Sequence, residues 1–129
     1  MKIKNSQIVN IFNHIGEVKE KNIPVKIGFA INKNIALLNS SARAYEEERK
    51  KILDKFGEKD ENGNPKVIDG EFVIKDHEQY SKELGDLLGI ENDIPVHTLP
   101  IEEFEKCDNE KFDSLTPNDL SVLEFMIEE

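Results

Sequence analysis

Residues 24–57, PVKIGFAINKNIALLNSSARAYEEERKKILDKFG, leave this chain little freedom in how it folds. Ile31, Ile35, Leu38, Ala42, Tyr45, Arg49, Ile52 and Phe56 recur at steps of three or four, so they form one stripe on one face of an α-helix. Pro24 suits the first helical position, where its missing N–H is no loss. Gly57 suits the residue just past the end, in a left-handed conformation. Such a helix runs roughly 50 Å at 1.5 Å per residue. That is long for a small domain, so part of the stripe needs a partner from later in the chain or from another subunit.

A first helix is expected over residues 7–21, capped by Ser6, with Ile8, Ile11, Phe12, Ile15 and Val18 on its apolar face. The short connection Lys21-Asn22-Ile23-Pro24 makes the two helices antiparallel neighbours. Tyr45 to Phe56 then project beyond the first helix. Gly16 and Gly28 flank the connection and allow close helix approach, and Gly85 is a further glycine inside a helical pattern.

After Gly57 the pattern changes. Glu58 to Pro65 is a breaker segment, and Asp69-Gly70 between Lys66-Val67-Ile68 and Glu71-Phe72-Val73-Ile74 is a two-residue β-hairpin signal. A lone hairpin is marginal, so it is expected to pack on the helices. Asp76, with Gln79 in the reciprocal position, caps a third helix whose apolar face is Tyr80, Leu84, Leu87 and Leu88. Residues 93–99 read as an extended strand, confined by Pro95 to an edge. Pro100 opens a short turn carrying Ile101 and Phe104. Thr116-Pro117 starts a last helix, with Leu115 stapled onto Leu120, Leu120, Leu123 and Ile127 inward, and Phe125 and Met126 widening the face. The expectation is a single domain over 1–129 of α+β class, helix-dominant. It has a long helical hairpin in 1–57 and a smaller acidic half in 58–129 with a β-hairpin and short helices.

Charge divides at the same boundary. The net charge of −10 splits into +5 over residues 1–57, −7 over 58–100 and −8 over 101–129. Most of this is solvated surface. The sharper reading is complementary ends that assist subunit contact, or an acidic face for a basic partner. Direct nucleic-acid binding is disfavoured, because phosphate contacts need positive charge. No apolar run reaches the ~18 residues of a membrane span, and MKIKNSQIVN lacks the apolar core of a signal peptide. A cytoplasmic location is expected. A single cysteine, Cys107, allows no intramolecular disulfide.

Chemical motifs are few. Asp60, Asn62, Asn64 and Glu71 fall at positions 1, 3, 5 and 12 of a calcium-loop pattern, but Pro65 occupies the position that needs glycine and EFVIK reads as strand. An ordinary turn is the expected reading. His14, His77 and His97 sit on separate elements without metal-ligand spacing. Glu105, Asp108 and Glu110 around Cys107 oppose thiolate formation. The pairs Glu102/Glu103 and Glu128/Glu129 are too ordinary in so acidic a chain to single out as catalytic. No GxGxxG, P-loop or GxSxG motif occurs. Neither catalysis, a metal nor a cofactor is expected.

Ile23-Pro24-Val25-Lys26-Ile27, Lys33-Asn34, the run Tyr45-Glu46-Glu47-Glu48-Arg49-Lys50-Lys51-Ile52-Leu53 and the ending Leu123-Glu124-Phe125-Met126-Ile127-Glu128-Glu129 together resemble a family of small phage and prophage proteins of low-GC Gram-positive bacteria, catalogued as a domain of unknown function. The resemblance covers nearly the whole chain and implies a viral origin in the cytoplasm of an infected host, with or without association with the virion. It carries no active site to transfer. Two functions fit. One is a non-enzymatic accessory or virion-related protein that works by association, with homo-oligomers expected. The other is an inhibitor of a bacterial defence enzyme, its acidic half occupying a basic groove of a host or phage protein. The residues expected to make contact are Tyr45, Arg49, Ile52 and Phe56 on the long helix and Glu102, Glu103, Glu105, Glu124 and Glu128 on the acidic half.

Overall fold

The computed structural model describes residues 1–128. The elements run β1 (Lys2–Lys4), α1 (Asn5–Lys19), α2 (Val25–Phe56), β2 (Val67–Ile68), β3 (Glu71–Phe72), α3 (His77–Leu88), β4 (Glu91–Asp93), α4 (Ile101–Glu105) and α5 (Pro117–Leu123), with 3-10 turns at Lys106–Asp108 and Glu124–Met126. The class is α+β with helix dominant, and α1 and α2 form the antiparallel pair that the short connection dictates.

The expected start of α1 shifts by two residues. Residues 2–4 are held extended because β1 pairs antiparallel with β4, matching Lys2 to Asp93, Ile3 to Asn92 and Lys4 to Glu91. The helix therefore begins at Asn5, Ser6 lies inside its first turn, and the Gln7 side chain accepts the Lys4 N–H at 2.9 Å. Buried Asn5 donates to the Leu87 carbonyl at 2.8 Å and accepts from Asn92 at 2.9 Å. These polar contacts, with Asn92 also donating to the Ile3 carbonyl at 3.0 Å, fix the junction of β1, α1, α3 and β4.

Pro24 caps α2 from just outside, and its carbonyl accepts the N–H groups of Ile27 and Gly28, both at 3.1 Å. At the other end Gly57 is extended (φ −75°), not left-handed as expected. Glycine is needed there for close approach: a Cβ would lie 2.6 Å from the Leu53 carbonyl oxygen. Gly57→Ala is therefore expected to destabilise the fold by about 1–3 kcal/mol, as overpacking does. Urea denaturation checks it, and an unchanged midpoint would remove the steric explanation.

Ile8, Ile11, Ile15 and Val18 of α1 meet Ile27, Ala30, Ile31 and Leu38 of α2 in one core. The chain then returns to close it with Ile94, Phe104, Cys107, Val122, Leu123 and Met126. Each large side chain so buried contributes roughly 1.5–3 kcal/mol. Ile35 and Ala42, placed centrally on the expected stripe, are only half-buried, whereas Asn34 is fully buried. The returning segments cover a face of α2 rotated from the one that periodicity marks.

The hairpin forms as its Asp-Gly signal dictates, with Asp69 at φ 54° and Gly70 at φ 81°. It does not bury itself on the helices, however: Val67, Ile68 and Phe72 remain half-exposed. It is anchored by main chain, with Glu58 N–H donating to the Val73 carbonyl, Lys66 N–H to Glu58 and Lys75 N–H to Phe56.

Asp76 caps α3 by accepting the Gln79 N–H at 3.2 Å, while the Gln79 side chain turns to Glu83 at 3.4 Å instead of closing a reciprocal pair. The strand expected over 93–99 lies earlier, at Glu91–Asp93. Past Pro95, among the described residues, only Leu99 bridges, in parallel with Ile127. α5 starts at Pro117 with Thr116 as cap, as expected, but its inward face is Asp119, Val122 and Leu123, continued by Met126. Leu120 points outward, 38% exposed, so it staples nothing into the core. An inward aspartate rotates the helix away from the apolar phase.

Candidate interaction surfaces

The distal stripe of α2 finds a partner within the chain. α3 packs along it, and Tyr80 meets Phe56 edge-on with ring centroids 6.3 Å apart. Lys55 reaches over the Phe56 ring and pairs with Glu83 at 3.3 Å. Tyr45 and Phe56 are buried; Arg49 and Ile52 are half-buried, and the Arg49 Nε bonds Glu46 at 2.9 Å. Burial pushes the Tyr45 phenol pKa up, against the opposing charge of Arg49. Of the four expected contact residues on this helix, Tyr45 and Phe56 are thus buried within the subunit and Arg49 is paired within it.

The acidic residues do not form one face. Glu102 and Glu105 are exposed on α4. Glu103 is bridged by Lys106 at 2.9 Å and Lys26 at 3.6 Å, and the Lys106 hydrogen bond leads in holding its carboxyl below the ordinary range. Glu124 and Glu128 instead line a broad, open cavity of about 1000 Å³ bounded by β1, α1 and the C-terminal segment, where Glu128 accepts from Thr98 at 3.3 Å. Glu129 lies outside the described residues.

Two surfaces escape a reading based on periodicity. Val25 is 84% and Phe29 61% exposed, one turn apart on α2. Phe29 stands edge-on to His97 at 6.1 Å, and the Lys26–Glu103 contact sets α4 beside this strip. Their signal is that both fall off the buried stripe in an otherwise well-patterned helix. The second is a groove of about 400 Å³ between α1 and α2. Ile8, Val9, Phe12, Ala42 and Tyr45 line it, and Arg43, Glu46 and Arg49 stand along one wall.

Groups with chemical potential are otherwise engaged. Burial, reinforced by Asp108 and opposed by Lys21, raises the Cys107 thiol pKa. Asp60 accepts the N–H groups of Asn62 and Asn64 at 2.9 and 3.0 Å, so its carboxylate closes a turn that leads into β2 and not into a helix. Among the described residues no group of three or more His, Cys, Asp or Glu is placed to hold a metal ion. No described helix is long and apolar enough to cross a membrane. Compared with protein-family models, curated proteins and solved structures, the chain matches none.

Proposed function

We propose that this chain is a non-enzymatic phage protein, accessory or virion-related, that acts in the infected host by protein–protein association, first of all with itself. The observation that carries this reading is the grouping of exposed apolar side chains. Single exposed hydrophobics are ordinary, but Val25 with Phe29, one turn apart, and Val67 with Phe72, cross-strand partners, are groups that share a face. Clusters of that kind mark contact surfaces. Light scattering across a concentration series is expected to report an oligomer, and a mass of one chain at high concentration would overturn self-association.

A second reading has its own support. Exposed Glu102 and Glu105 lie on α4, which borders the Val25–Phe29 strip, and this combination suits a basic, amphipathic surface on a host defence enzyme. Under this reading the monomeric protein restores phage plating on a defended host, and a Glu102→Lys, Glu105→Lys variant loses that effect. Plating indifferent to the charge reversal would exclude it.

A further inference from the structure

We propose that two copies pair about a two-fold axis, each seating its β2–β3 hairpin in the α1–α2 groove of the other. The inference deepens the self-association reading and rests on it.

Val67 and Phe72 are direct cross-strand partners, so they stand on one face of the hairpin, 51% and 48% exposed. They make a small apolar plug on a backbone tied down by the main-chain bonds to Phe56 and Glu58. The groove offers the matching floor, with Ile8 at its base and half-buried Val9, Phe12 and Ala42 around it. The same bonds anchor the plug at the C-terminal end of α2, where Phe56 lies seven residues beyond Arg49, or roughly 10 Å along the helix.

Charge selects the occupant. Arg43 stands at the rim beside Arg49, which Glu46 of the same wall already bridges at 2.9 Å, while Asp69 and Glu71 occupy the hairpin tip, with Lys66 and Lys75 at its base. Neither Arg43, Asp69 nor Glu71 forms an ion pair among the described residues. A second copy brings the tip to Arg43. The proposed contact is reciprocal, each copy giving one plug and one groove, and a reciprocal contact closes the assembly at two.

Sedimentation equilibrium tests this with Phe72→Asp, Ala42→Trp and an equimolar mixture of the two, with circular dichroism reporting the fold of each. Phe72→Asp places a charge in the seat and Ala42→Trp fills it. Each is expected to raise the dimer dissociation constant roughly a hundredfold. The mixture contains one intact plug and one intact groove, so it is expected to recover a heterodimer that neither variant forms alone. Should Ala42→Trp unfold, Arg43→Glu at the rim replaces it, with an expected tenfold weakening and the same rescue on mixing. Variants that dimerise like the unaltered protein, or a mixture without rescue, would overturn the hairpin–groove contact and leave self-association standing. An unaltered protein that stays monomeric would overturn both.

Discussion

Asn34→Leu is expected to destabilise the fold by about 3 kcal/mol or more, although the two side chains are close in size. Asn34 has no exposure, and its amide closes both main-chain groups of His97: Nδ2 donates to the carbonyl at 2.9 Å and Oδ1 accepts the N–H at 2.7 Å. Residues 94–98 belong to no strand, so no ladder supplies these partners. Leucine leaves two polar groups unsatisfied at roughly 1–3 kcal/mol each. A fall in melting temperature of about 10 °C should accompany the loss. A variant melting within a degree or two of the parent would show that water replaces the amide.

A second large effect is expected at Asp119. It is 4% exposed, accepts Lys21 Nζ at 2.5 Å and the Thr116 N–H at 2.9 Å, and so ties the end of α1 to the start of α5. Asp119→Ala leaves Lys21, 24% exposed on its side chain, with only the Ser114 carbonyl at 3.0 Å and no opposite charge, and removes half of the Thr116 cap. The expected loss is about 3 kcal/mol. Burial alone would raise the Asp119 pKa, but the bonds from Lys21 and Thr116 outweigh it and the pKa is lowered. A lowered carboxyl stabilises the fold above its unfolded value and loses that contribution as pH falls through the folded one. The gap between parent and variant should therefore be full at pH 7 and shrink below the ordinary value of 3.8. Urea titrations at several pH values measure it, and a gap independent of pH would refute the charged role.

The helical pair, the Asp69-Gly70 turn and the caps at Asp76 and Thr116 are legible because each is written in a few neighbouring residues. What stays hidden depends on distant ones. Lys2–Lys4 is too short to announce a strand, and it becomes one only against Glu91–Asp93. Asn5, Asn34 and Asp119 are of residue types mostly found at the surface, yet all three are buried because their partners lie far along the chain. The stripe Tyr45–Phe56 and the apolar face of α3 are both visible in the sequence, but nothing in either says that they meet each other. Val25 and Phe29 show the converse. Their exposure emerges only once the buried face of α2 is known.

The ties between distant residues also set an order in time. Asn34 reaches His97 across 63 positions, Asn5 reaches Leu87 across 82, and Lys21 reaches Asp119 across 98. As the chain emerges from a ribosome, α1 and α2 can coil and meet early, for helices form within microseconds. Their shared core face still stays open to water until Ile94, Phe104 and Leu123 have been made. Nascent chains are therefore sticky along that face during most of synthesis, and closing such long loops makes the final step slow compared with helix formation.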